Sequence, residues 1–162
     1  MVLRWFDTML NALYHDIPWS RIRCVGFDLD GTLYDEFEFI TQVYRAAVSS
    51  SEYLFPNPAS AYRFMTERWL EKGSAYPHIF EEAFDRHAQA DADSKDIFVN
   101  DTLTLFRTFR PELHLPARNR FVLETVSKNF DVFLISDGPP DLQRNKFQSL
   151  GLGDIFPGNR LF

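Results

Sequence analysis

The stretch Cys24–Glu36, "CVGFDLDGTLYDE", decides the fold. It closes a short, nearly continuous apolar run, Ile22–Phe27, of the kind that forms a strand covered on both faces of a parallel sheet. Directly after that run come Asp28, Asp30, Asp35 and Glu36, with Gly31 allowing a sharp turn among them. In extended backbone alternate residues point the same way, so Asp28 and Asp30 face one cavity while Leu29 points back into the core. Asp35 and Glu36 read as first-turn residues of a following helix, where the helix dipole favours acids. A plain turn built from Asp and Gly explains one acid and the glycine, but not what stands at the end of the second strand.

That second strand is "DVFLIS", Asp131–Ser136. It runs into "DGPPDLQRNKFQSLGLGD", where Asp137 and Gly138 turn, Pro139 or Pro140 opens a helix and Gly151 ends it. Strand, turn and helix repeated in this way are α/β grammar, with ligands expected at the carboxyl ends of the strands. Between the strands no strand-like run occurs. Ile40, Val43, Tyr44, Ala47 and Val48 form one helical stripe, broken by "PNP" at Pro56–Pro58. Tyr62, Met65 and Trp69 form a second, ended by Gly73, and Ile79, Phe80, Ala83, Phe84 and His87 a third. A fourth surrounds Leu103, Phe106 and Phe109, after a short acidic loop at Asp91–Asp96. Past Pro111 and Pro116, a further helix turns Phe121, Val122, Thr125 and Val126 inward.

With 162 residues, 45% of them hydrophobic, the chain suits one domain carrying an insertion. Its formal charge of −6 offers no basic face for nucleic acid or anionic lipid. Cys24 is the only cysteine, and its place in an apolar run reads as a buried, inert thiol in a cytoplasmic protein. At the N-terminus, Trp5, Phe6, Met9, Leu10, Leu13 and Ile17 recur at helical spacing. They suggest an amphipathic helix over residues 1–20, packed on the domain, with neither the apolar stretch of a signal peptide nor the basic face of a membrane-surface helix. His78, His87 and His114 lack ligand spacing, and Arg107 and Arg110 read as solvated surface.

A carboxylate pair spaced like Asp28 and Asp30 suits a divalent cation bound through one or two carboxylates plus substrate phosphate oxygens, as is usual for Mg²⁺. A carboxylate approaching a phosphate meets a repulsion of about 4 kcal/mol per unit charge pair at ~4 Å and an effective dielectric of about 20. A cation is what relieves it.

"FDLDGTLYD" resembles the first motif of the haloacid dehalogenase-like (HAD) phosphohydrolases, D-x-D-x-T followed by a hydrophobic residue, and "VFLISDG" resembles their second, a strand ending in Ser or Thr. The likeness runs from about Arg21 to Phe156. It implies a three-layer Rossmann-like parallel-sheet core over 21–35 and 116–162, with a helical cap domain inserted over 36–115. It implies further that Asp28 is a nucleophile forming an aspartyl phosphate and that Asp30 is the acid and base, with both residues, and the backbone carbonyl of Asp30, holding Mg²⁺. Thr32 braces the loop, and with Ser136 and the N–H groups of Asp137 and Gly138 it holds the phosphate. Family members that cleave carbon–halogen bonds lack the second acid, so Asp30 favours phosphoryl transfer.

The resemblance also leads one to expect a third-motif lysine and a fourth-motif acidic pair, and nothing after Phe156 supplies them. Lys146 falls on the helix after the second motif, away from the reacting groups. The chain is therefore expected to be a C-terminally incomplete phosphatase for a small phosphorylated metabolite, weakly active or inactive as written. Its first strand would be an edge covered by a dimer mate or a partner. The alternatives are a catalytically inactive binding or interaction protein, and a phosphomutase.

Overall fold

In the computed structural model, which describes residues 15–156, the two apolar runs form strands β1 (Cys24–Asp28) and β2 (Asp131–Ile135). They pair in parallel, from Cys24 opposite Asp131 to Asp28 opposite Ile135. A parallel pair requires a long crossover, usually helical, and here it is the helical chain between the strands. Gly26 lies opposite Phe133, whose ring would stand 2.7 Å from any Cβ at that position. The missing side chain is what makes room for the ring.

Six helices complete the described residues: α1 (Glu36–Ser50), α2 (Pro58–Lys72), α3 (Ile79–His87), α4 (Ala92–Thr108), α5 (Ala117–Ser127) and α6 (Pro140–Ser149). The fold is thus α/β with a small parallel sheet. None of these helices is long and apolar enough to cross a membrane. The helix read over residues 1–20 falls almost wholly outside the described residues. Of its apolar stripe only Ile17 is described, just before a 3-10 turn at Trp19–Arg21.

The described residues form two compact units. One comprises the described parts of Met1–Tyr34, His114–Asp137 and Gly151–Phe162, the other Asp35–Leu113 and Gly138–Leu150. Helix α6, which the sequence reading assigns to the α/β core, therefore groups with the inserted helices. Asn145 Nδ2 donates to the carbonyl of Phe109 at 3.0 Å, and Ser149 Oγ accepts from Leu113 N–H at 2.7 Å. Lys146, only 3% exposed, sets its ammonium 4.1 Å from the ring centroid of Phe39, a cation–π contact that its placement on the helix after the second motif did not anticipate.

In the helical unit the first three stripes emerge where periodicity puts them, whereas α4 buries Phe98 and Thr102, with Leu103 and Phe106 half-buried and Phe109 at its C-cap. Helix α1 buries Phe39, Ile40, Val43, Tyr44, Ala47 and Val48, capped by Asp35, whose carboxylate accepts from Phe37 N–H at 3.0 Å. Aromatic edges meet faces across the unit: Phe39 with Phe106 at 5.2 Å, Tyr44 with Phe80 at 5.8 Å, Phe55 with Phe98 at 5.3 Å. The acidic run Asp91–Asp96 is not a loop. Asp91 caps α4 by accepting from Ser94 N–H at 2.9 Å, and hydrogen bonds from Ser94 hold its carboxyl below the ordinary carboxylate range. Acids at a helix start are favoured by the dipole, so the run becomes a first turn.

Three further expectations are corrected in the sheet unit. Strand β2 buries Val132 and Leu134, but no residue of β1 is fully buried, so the strands are not covered on both faces. Cys24 is accordingly an exposed free thiol. Among the described residues the sheet has two strands, so β1 is flanked on one side only, and Cys24 stands at its first position. Helix α5 buries Leu123 alone, while Phe121 is 69% exposed and Val122 also faces outward. Asn119, Leu123 and Val126 share one helical face, and the hydrogen bonds of Asn119 described below fix that face inward, which turns Phe121 out.

Two consequences for stability are measurable. Phe98 is 1% exposed between Phe55 and Phe84, and Phe98→Ala should cost about 3–5 kcal/mol in urea unfolding. His87 packs 5.2 Å from Phe64 with Nδ1 3.3 Å from Ser60 Oγ. Burial first, and the charge of Arg86 second, lower its pKa below the ordinary 6.5. The fold thus prefers neutral His87, so the stability it contributes is present above pH 6.5 and is lost as pH falls through the lowered value. His87→Gln should flatten the loss of urea stability between neutral and mildly acidic pH.

Candidate active site

At the end of β1, Gly31 adopts a φ of 69°, and Leu33 N–H closes on the Leu29 carbonyl at 3.0 Å. Such positive φ favours glycine. The turn carries the chain back so that each acid receives a hydroxyl from the residue four further on. Thr32 Oγ1 donates to Asp28 Oδ2 at 3.1 Å, and Tyr34 Oη donates to Asp30 Oδ1. Leu29 and Leu33 are buried, Asp28 is exposed and Asp30 is half-buried, so the loop sends apolar residues inward and its carboxylates toward solvent. From α5, Asn119 Nδ2 donates to the carbonyls of Leu33 at 2.8 Å and Thr32 at 3.3 Å. It thereby satisfies backbone acceptors that no ladder reaches.

Because Asp28 is level with Ile135, Ser136 is the next residue at the same end of the sheet. Its hydroxyl oxygen is buried and has no hydrogen-bond partner among the described residues. A buried hydroxyl in that state costs about 1–3 kcal/mol, a cost removed when a ligand oxygen supplies the bond. Asp137 follows, exposed. Gly138 belongs to the helical unit, where a Cβ would meet Gln143 Nε2 at 2.0 Å, and Pro140 opens α6 as read.

Five of the six candidate residues, Asp28, Asp30, Thr32, Ser136 and Asp137, therefore lie in one unit at or just beyond the carboxyl ends of paired strands, and Gly138 lies in the other. Sequence reasoning missed Tyr34 and Asn119. The Asp28–Thr32 spacing recurs at Asp30–Tyr34 and was visible in the opening stretch. Asn119 stands 86 residues from Leu33 and carries no local signal. His78, His114, Arg107 and Arg110 are exposed.

The donor set can be tested against a metal. Among the described residues no three His, Cys, Asp or Glu side chains group as ligands, so Asp28 and Asp30 form a pair and not a cage. A pair of carboxylates offering only oxygen fits Mg²⁺, which keeps several waters and takes phosphate oxygens as its remaining ligands.

A sequence profile of the haloacid dehalogenase-like hydrolases matches residues 22–161, and the chain belongs to that family. Among solved structures it is similar to a Thermotoga maritima protein described as a β-phosphoglucomutase. There the TM-score is 0.56 at 19% identity, covering 86% of this chain and 61% of that one. It is also similar to the HAD hydrolase YfnB of Bacillus subtilis, solved with magnesium bound, with a TM-score of 0.54 at 15% identity over 87% of this chain and 64% of that one. At these identities the likeness shows the fold, and the chain spans less than two thirds of either structure. No curated protein matches it in sequence.

Asn119→Ala leaves the Leu33 and Thr32 carbonyls without their donor. It should destabilise the protein by about 1–3 kcal/mol and speed amide exchange at Gly31–Tyr34 more than in α1–α4, as read by hydrogen-exchange mass spectrometry.

Proposed function

We propose that the chain carries the phosphoryl-transfer centre of a Mg²⁺-dependent phosphohydrolase acting on a small phosphorylated metabolite. The observation that carries this reading is the buried, unpartnered hydroxyl of Ser136 at the same sheet end as the Asp28 and Asp30 carboxylates.

The chemistry follows from the residues. With one Asp28 oxygen held by Thr32, the other attacks phosphorus as the bond to the leaving oxygen breaks, giving an aspartyl phosphate. Asp30, entering as the carboxylic acid, gives its proton to the leaving oxygen. As the carboxylate it then takes a proton from the water that attacks the phosphoryl group, so phosphate leaves and Asp28 is restored. Tyr34 fixes the orientation of Asp30 through both half-reactions. Ser136 donates to a phosphate oxygen, joined by the N–H groups of Asp137 and Gly138. Mg²⁺, held by the Asp28 carboxylate and the Asp30 backbone carbonyl, would supply the positive charge that offsets the repulsion between carboxylate and phosphate. The helical unit acts as the cap that selects the substrate, and a further chain or partner covers the outer edge of β1.

The test is hydrolysis of p-nitrophenyl phosphate with Mg²⁺ by the 162-residue chain and by one lengthened with the sequence encoded downstream. Turnover should vanish with EDTA and fall about a thousandfold or more in Asp28→Asn. Ser136→Ala should chiefly raise KM, and Thr32→Val should lower kcat about tenfold. Mg²⁺ binding without turnover in either chain would sink the enzyme reading in favour of a binding protein.

A further inference from the structure

The helical unit carries a pocket of about 190 Å³, partly open to solvent and built entirely from its own side chains. Its walls are apolar: Ile40 from α1, Trp69 from α2, Ile79 and Phe80 from α3, Leu103 and Phe106 from α4. Exposed Ser74 and Pro77, on the loop after Gly73, form its mouth. Apolar cavities of about 150 Å³ take up benzene, so this pocket has room for a ring with a short substituent.

Two tyrosines also line it, and they differ. Tyr76 is engaged, its hydroxyl donating to Glu82 Oε1 at 2.5 Å while Glu82 pairs with Arg68 at 2.7 Å. Tyr44 is 3% exposed, packs edge-on against Phe80, and its hydroxyl makes no hydrogen bond among the described residues. Burial first, and the charge of Glu36 second, push its pKa up, so it stays a protonated donor. No Lys, Arg or His lines the space, and an anion there would face apolar walls with a carboxylate nearby.

We propose that this cavity binds a neutral, ring-sized ligand carrying one hydrogen-bond acceptor, an aromatic or alicyclic ketone, aldehyde or ether, with Tyr44 Oη as the donor. The site is built from residues of the helical unit alone and stands whether or not phosphoryl transfer is confirmed. It gives the helical unit a ligand of its own, chosen by an oxygen acceptor and ring size and not by charge.

Isothermal titration of the full chain with acetophenone, ethylbenzene and benzoate tests it. Acetophenone should bind saturably, about fivefold to tenfold tighter than ethylbenzene, the factor set by one neutral hydrogen bond, and benzoate should not bind. Tyr44→Phe removes a hydroxyl with no protein partner, so it should fold normally, retain ethylbenzene and lose the preference for acetophenone. Leu103→Trp, which fills the space, should abolish both. Absence of saturable binding to the unaltered chain, equal affinity for acetophenone and ethylbenzene, or a preference that survives Tyr44→Phe overturns the proposal.

Discussion

The parallel register of β1 and β2 is the constraint on which the rest depends. Five residue pairs set Asp28 level with Ile135 and so bring Ser136 to the sheet end where the acids emerge. A slip of one residue would reverse which face every side chain of one strand presents. Gly26 guards against that slip. Only a residue without Cβ tolerates the ring of Phe133 at that distance, and a shifted pairing would set the ring against Val25 or Phe27 instead. A glycine that weakens a strand intrinsically is here what holds its alignment.

Beyond the strand, the turn at Gly31 does more than reverse the chain. It converts two acids two residues apart into two separately anchored groups, each gripped by a hydroxyl from four residues further on. The Asp28–Thr32 bond is exposed and adds little to stability. What it provides is a fixed direction for one oxygen, and with it a defined direction for the other. Such preorganisation matters more to reactivity than to folding.

The α/β class, the strand positions and the first three inserted stripes were legible because periodicity and turn chemistry are local signals. Met65 and Phe84 are buried where helical spacing puts them, and Gly73 and Gly151 end their helices with positive φ. What was not legible depended on partners distant in sequence. The outward turn of Phe121 follows from Asn119 bonding to Leu33, and the exposure of Cys24 from how few strands flank β1 among the described residues. The acidic run before α4 was misread for a different reason. A helix start and a polar loop have the same composition, and only the spacing from Asp91 to Ser94 separates them. The turn that carries Asp28 and Asp30 was legible as well, because Gly31 takes the positive φ that the sequence reading gave it.

One pair of side-chain bonds has a consequence for how this architecture varies. Gln42 and Glu112 are 70 residues apart, yet the amide of Gln42 both donates to and accepts from the Glu112 backbone, at 2.8 and 2.9 Å. The two bonds knot the outgoing and returning chain near the roots of the helical excursion. The entropy of closing such a loop grows only with the logarithm of its length, about 0.6 kcal/mol for each doubling. The knot is therefore nearly indifferent to how much chain lies beyond it. A helix added or removed between Gln42 and Glu112 would thus change the entropic cost of closing this stem by less than about 1 kcal/mol.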